Sequence, residues 1–337
     1  MYKLSSNENP LGASPKALAA IEASLKASGR YPAELEGSLE KALAHHHKGS
    51  LSPEHVVTGA SGCDVLALIA RAYLDAESEV IVCPPTFPTY QRTAEQMRAK
   101  VIQIALSGEN FDYQLEAIVS AITSKTKLLY LCNPNNPTGT IFGQAVFDKL
   151  LALIPPEVII VYDEVYYHFS QDLPDSIAAV LADKPIILVH SFSKVYGLAG
   201  LRLGYAIARA DITAKLTAQK NPFHLSRLTI EAGLAALEDD DHVQKTLANN
   251  ELGMRFISEG LKTLGLRVWP SATNFVMFEV PKAFKTDEVV TALAEAGVGV
   301  RGAFGLEHHL RVSIGLPEAN EHFITSLSHI LQGQPHV

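Results

Sequence analysis

From residue 56 onward the chain alternates short apolar runs with longer amphipathic ones. VIVC at 80, LLYLC at 128, VIIVY at 158, IILVH at 186 and LGYAIA at 203 are four to six residues long and rich in Val, Ile and Leu, as strands covered on both faces are. Between such runs, DVLALIARAYL (64–74) and AVFDKLLALI (145–154) space their apolar residues three and four apart, the period of a helix with one buried stripe. This order predicts an α/β fold: a large domain with a mainly parallel, helix-covered sheet. After residue 225 two long helical stretches, SRLTIEAGLAALED and HVQKTLANNELGMRFISEGLKTLG, lead into NFVMFEV, TDEVVTALAEAG, GVGVR, LRVSIG and a last helix. These predict a smaller α/β C-terminal domain. The bend at Asp239 to His242 sets the expected division, with 31–240 as the large unit. Residues 1–30 and 241–337 form the small one, the opening thirty packing on the C-terminal part.

Composition narrows the partners. The 337 residues carry a formal charge of −8, so no general basic field draws nucleic acid or anionic membrane, and an anionic ligand has to be gripped locally. Cys63, Cys83 and Cys132 lie in or beside apolar segments without metal-ligand spacing and read as reduced thiols, which suits the cytoplasm. MYKLSSNENP has no signal-peptide core, and no segment reaches the ~18–20 apolar residues of a membrane span; a soluble protein is expected. His45, His46 and His47 are adjacent, point in different directions on a helix and lack metal-spaced partners. They predict a solvated helix end, and no metal is expected anywhere.

The expected strands end in chemistry. In a parallel sheet the carboxyl ends of the strands converge on one crevice, and here they read TGASG, CPPTF, CNPNNPTG, YDEVY and SFSK. In TGASGCDVLALIARAYL the amides of Ala60 and Ser61 open a helix, either as an anion cradle or as simple turn geometry. Phe87 follows two prolines and presents its ring as a flat wall or as core packing. Asn136 is fixed between a strand and a Pro-Thr-Gly turn, for a directed hydrogen bond or an Asx-turn. Asp163 at a buried strand end caps a helix or faces a cationic ring nitrogen, with Tyr166 three residues on. In SFSKVYGLAGLRLGY, Ser191, Ser193 and Arg202 converge on a phosphate if the glycines fold the chain back. Lys194 then reaches the aldehyde end of the same molecule, as an amine whose pKa burial lowers.

The ordered set NPNNPTG, DEVY and SFSK…GLAGLRLGY resembles the pyridoxal-phosphate-dependent aminotransferases of fold type I, class I/II. SSNENPLG, RYP at 30–32, TGASG, CPPTF and VRGAFG…LRVSIG are similar to the histidinol-phosphate aminotransferase branch. The resemblance covers almost the whole chain. It implies pyridoxal 5′-phosphate as cofactor, with Lys194 as the Schiff-base lysine and proton shuttle, and Asp163 as the partner of the pyridine nitrogen. Tyr166 and Asn136 would meet the ring 3-hydroxyl and Phe87 the ring face, while Ala60, Ser61, Ser191, Ser193 and Arg202 hold the phosphate. Tyr31 of RYP would reach the phosphate of a neighbouring subunit, which implies a homodimer with shared active sites. Arg311 would grip a substrate carboxylate or phosphate, with Arg301 and Asn7 adding to the substrate site.

The reaction so implied moves an amino group from a donor, histidinol phosphate-like or an aromatic amino acid, to a 2-oxo acid such as 2-oxoglutarate, in a ping-pong cycle. This chain departs from the branch in three places. It starts almost at NENP, without the longer arm that carries a substrate-contacting tyrosine. Gly302 follows Arg301 where the branch has proline, and His168 precedes Phe169 where the branch commonly has an acid. A decarboxylase of a phosphorylated amino acid and a non-catalytic effector-binding module therefore stand as alternatives.

Overall fold

A computed structural model describes residues 1–35, 37–47 and 51–333; the last four residues of the expected small unit lie outside them. A first strand, β1 (Tyr2–Lys3), is followed by seven that form one sheet: β2 (Val56–Gly59), β3 (Glu79–Val82), β4 (Lys100–Gln103), β5 (Thr126–Cys132), β6 (Ile159–Asp163), β7 (Ile186–Ser191) and β8 (Gly204–Ile207). Their order across the sheet is β2-β8-β7-β6-β5-β3-β4. A second sheet, β12-β13-β10-β9, joins β9 (Arg267–Val268), β10 (Phe275–Glu279), β12 (Arg301–Gly302) and β13 (His309–Ser313), while β11 (Val298–Gly299) pairs with β1. The fold is α/β, a large helix-covered sheet beside a smaller one.

Strand alternation explains why the large sheet is covered on both sides. Ile160 and Tyr162 of β6 and Ile186 and Leu188 of β7 enter one core, whereas Ile159, Val161, Ile187 and Val189 enter the core on the opposite face. In this sheet every strand pair is parallel except those of β8, which runs antiparallel to both β2 and β7. The reason is the connection: residues 192–203 return directly, without the helical crossover that a parallel neighbour needs. β4 is a strand that apolar runs did not predict. It lies at the sheet edge, with Lys100 and Gln103 exposed and Val101 and Ile102 half-buried, too short and polar for the signal of a covered strand.

The opening segment divides between the two sheets instead of packing wholly on the C-terminal part. Residues 2–4 do join the small unit, through β1 on β11 and Leu4 in its core. The helix Pro15–Ser24 instead lies along the helix Arg227–Leu237, and its Ala17 enters the core of the large sheet. A close approach fixes the crossing: a Cβ on Gly197, whose φ is +68°, would stand 1.9 Å from the Gly12 carbonyl oxygen. Asn9 Nδ2 donates to the Val195 carbonyl at 2.8 Å and the Ser14 amide to that of Tyr196 at 3.2 Å. The loop before the helix is thereby sewn onto the segment that carries Lys194.

Candidate active site

The carboxyl ends of β5, β6 and β7 and the start of the helix Gly62–Tyr73 surround a cavity of about 420 Å³. Of the residues expected from the sequence, all but Ala60 and Tyr31 line it. Gly62, Cys63, Ser6 and Glu8 join them, residues that the strand-end reading passed over.

Lys194 follows β7 after the turn Phe192–Ser193. Its Nζ has one polar contact, a long 3.4 Å approach to the Ser6 carbonyl, and lies 5.6 Å from the centre of the Tyr166 ring. Burial, aided by repulsion from Arg311, lowers its pKa to about 8, so a neutral amine is readily reached. Arg311 projects from β13 and is only 3 % exposed. Its guanidinium donates to Asn136 Oδ1 and, at 2.8 Å, to the Ser5 carbonyl, while its Nε has no partner. Burial first, then repulsion by Arg301, brings this arginine down to about 10. Arg301 is the cross-strand neighbour of Arg311, and both guanidiniums lie over the Phe304 ring, at 4.5 and 5.5 Å.

Asp163 closes β6 with its carboxyl turned to the cavity. Oδ2 accepts the Tyr90 hydroxyl at 2.7 Å and Oδ1 the Val165 amide at 3.2 Å. Burial raises its pKa to about 6 against these two donors. Phe87 lines the cavity edge-on to Tyr90, their centres 5.8 Å apart. The Tyr166 hydroxyl accepts from Asn7 Nδ2 at 2.8 Å, and Asn7 is itself held by Ser313 through its amide at 2.8 Å. The first residues of the chain thus furnish part of the wall, anchored on β13.

At the opposite end lie the groups expected to hold an anion. The Ala60 amide is already taken by Asp64 Oδ2 at 2.8 Å and that of Ser61 by the Gly59 carbonyl at 2.8 Å. The free donors of the turn are therefore the amides of Gly62 and Cys63, the first two residues of the helix, where unpaired N–H groups and the helix dipole favour negative charge. The sequence carried this signal one step further along: Ser61 is the N-cap, accepting the Asp64 amide at 3.1 Å, so the open amides follow it. Gly204 on β8 allows the approach, since a Cβ there would lie 2.4 Å from the Gly62 nitrogen. Ser191, Ser193 and Arg202 complete this end. Tyr31 is elsewhere, 74 % exposed and stacked on the equally outlying Phe223 at 4.5 Å.

Behind the strand ends is a second cluster, on the far side from the cavity. His190 Nε2 lies 2.8 Å from Glu164 Oε1, and the Ser176 hydroxyl reaches both Glu164 oxygens at 2.9 Å. Burial raises Glu164 to about 8 and lowers His190 to about 3, each toward its neutral form, and neither His190 nitrogen has a hydrogen-bond partner among the described residues. His47 does not belong to a solvated helix end. It turns inward at the end of the helix Ser38–His46, hydrogen-bonds the Tyr205 hydroxyl at 3.1 Å and meets His190 edge-on, and burial lowers it to about 3. His45 and His46 remain exposed. His168, in place of the branch's acid, packs into the same cluster against Tyr167 and Tyr196.

Pyridoxal phosphate fits the donor set. A carboxylate at one end, open amides with serines and an arginine at another, an uncommitted amine between them and a buried guanidinium with a spare N–H match a ring nitrogen, a phosphate, an aldehyde and an incoming anion. Residues 1–327 match the family Aminotransferase class I and II. The histidinol-phosphate aminotransferase of Symbiobacterium thermophilum is 39 % identical over 97 % of this chain and 90 % of its own length. That of Moorella thermoacetica is 38 % identical over 98 % and 86 %. The crystal structure of histidinol-phosphate aminotransferase from Sinorhizobium meliloti in complex with pyridoxal-5′-phosphate superposes with a TM-score of 0.89, covering 98 % of this chain and 90 % of that one at 24 % identity. The chain belongs to the class I and II aminotransferases and is a pyridoxal-phosphate-dependent enzyme.

Proposed function

We propose that this aminotransferase takes its amino group from a phosphorylated or aromatic donor of the histidinol phosphate type and passes it to 2-oxoglutarate in a ping-pong cycle. One observation carries the reading. Arg301 and Arg311 face the same cavity from adjacent strands and share Phe304, a paired cationic grip for the phosphate of the donor and the carboxylates of the oxo acid in turn. The names and identities of the relatives support the same donor.

Bound in this site, pyridoxal phosphate supplies an aldehyde that takes up the amino group and a ring that draws electrons from the Cα–H bond. Lys194 Nζ, neutral above about pH 8 and free of a strong partner, takes the Cα proton of the donor. Asp163 would keep negative charge against the ring nitrogen. Tyr166 and Asn136 would bond the ring hydroxyl side, and Phe87 would cover the ring face. Ser191, Ser193, Arg202 and the amides of Gly62 and Cys63 would hold the phosphate. Asn7 steadies Tyr166 and Arg311 orients the donor, so the scissile bond is presented to Lys194.

A homodimer belongs to the proposal, with the exposed Tyr31–Phe223 stack covered by a second copy and Tyr31 reaching that copy's phosphate end. No helix among the described residues is long and apolar enough to cross a membrane; we assign the enzyme to the cytoplasm. The test is a donor panel. Histidinol phosphate or an aromatic amino acid is expected to form glutamate from 2-oxoglutarate, with parallel lines in double-reciprocal plots. Carbon dioxide release without glutamate would replace the aminotransferase donor by a decarboxylase substrate, and turnover unaffected by Arg301→Ala with Arg311→Ala would remove the paired grip.

A further inference from the structure

We propose that Tyr90 is a positioning residue for Asp163, its hydroxyl fixing the carboxylate in the orientation and ionised form in which it meets the cofactor ring. Tyr90 sits in the helix Thr89–Gln96, in the turn after the Phe87 wall, and is fully buried. Its hydroxyl donates to Asp163 Oδ2 at 2.7 Å, and among the described residues no other side chain hydrogen-bonds this carboxyl. The Val165 amide holds the other oxygen at 3.2 Å. With one donor on each oxygen the carboxylate plane is set, and its remaining lone pairs face the cavity.

The ring is placed as firmly as the hydroxyl. It stacks on Tyr130 of β5 at 5.1 Å and 14°, and its edge meets Phe87 at 5.8 Å. One side chain therefore connects the Phe87 wall to the Asp163 carboxyl. The other titratable groups near the carboxyl are Cys132 from β5, Cys63 from the helix Gly62–Tyr73, Tyr166, Glu164 behind it and Lys194 across the cavity. None of them hydrogen-bonds it. The phenol opposes the burial that otherwise drives Asp163 toward its neutral form.

This inference rests on Asp163 facing the ring nitrogen, and the test separates the two. Binding of pyridoxal phosphate to the cofactor-free chain is titrated by fluorescence between pH 5 and 8 for the wild type, Tyr90→Phe, Tyr130→Phe and Asp163→Asn. In the wild type the affinity is expected to fall as pH drops through about 6, where Asp163 gains its proton. Tyr90→Phe moves that fall upward by about one pH unit, weakening binding about threefold near pH 6.5 and approaching tenfold toward pH 5. Its apolar ring leaves the melting temperature of the cofactor-free chain within a degree or two. Tyr130→Phe leaves the profile in place, and Asp163→Asn abolishes the fall. A lower melting temperature with an unmoved profile in Tyr90→Phe overturns the positioning role. An unmoved profile in Tyr90→Phe beside a lost one in Asp163→Asn overturns it too while sparing Asp163. A fall that persists in Asp163→Asn overturns both.

Discussion

The two sides of the β6 and β7 strand ends are both largely buried but differ in what can reach them. On the cavity side Asp163, Lys194 and Arg311 keep spare bonding capacity: an amine with a single 3.4 Å contact, a guanidinium with an unpartnered Nε and a carboxyl with free lone pairs. On the other side Ser176 bonds Glu164, whose carboxyl lies 2.8 Å from His190, while the nitrogens of His190 and His168 have no hydrogen-bond partner among the described residues, and none of these four residues lines the cavity. Consecutive residues, Asp163 and Glu164 or His190 and Ser191, fall on opposite sides because strand side chains alternate. Burial alone does not make a reactive site. Unspent bonding counts where a cavity opens onto it, because a group that no ligand reaches has nothing to offer one.

Substitutions can break this contrast. Lys194→Ala should reduce turnover by roughly 10⁴-fold, as the roles of nucleophile and proton carrier proposed for it require, while the chain melts as before. Asp163→Asn should lower turnover far more than cofactor retention, by about tenfold for each pH unit by which the ring nitrogen's pKa falls. On the silent side, Glu164→Ala should cost about 2–4 kcal/mol of stability, by stranding Ser176 and His190 around a void. Glu164→Gln should cost less than about 1 kcal/mol, because it copies the neutral carboxyl; a large loss with glutamine would mean that Glu164 carries its charge. Chemical denaturation and steady-state rates on the same four proteins check these in order.

The sides also respond to pH in different windows. His47 and His190 have folded pKa values depressed from the usual 6.5 to about 3. Their stabilising contribution is complete above pH 6.5 and is lost as the pH falls toward 3, since the unfolded chain then binds protons that the native one refuses. Lys194, lowered to about 8, makes the cofactor-free chain gain stability as pH rises from 8 toward 10.5. Melting curves should show His190→Gln flattening the acid limb and Lys194→Met the alkaline one, with neither touching the other.

Much of the cavity side was legible because its chemistry is punctuated in the chain. Polar groups stand directly after apolar runs, as in VIIVYDE and IILVHSFSK, and prolines and glycines fix the turns. The displaced anion donors show the limit: the sequence marks a turn at Ala60 and Ser61, but which amides stay open depends on Asp64 and Ser61 folding back as caps. The edge strand β4 and the reversed β8 were set by neighbours rather than by local pattern. The silent cluster was hidden altogether, since His47, His168, His190 and Tyr205 come from separate segments and His47 read as part of a surface triplet. Tyr90 carried no mark of its own, three residues past the Phe87 wall in a helix of mostly polar side chains.

The strand β1 has a bearing on how the enzyme is made. Residues 2 to 7 are tied to Gly297, Gly299 and Ser313, so during synthesis they have no resting place until about three hundred more residues have followed them. Whatever unit folds early during synthesis, the wall bearing Asn7 stays unbuilt. Catalytic competence would then arrive late and all at once, when these two distant stretches of the polypeptide meet.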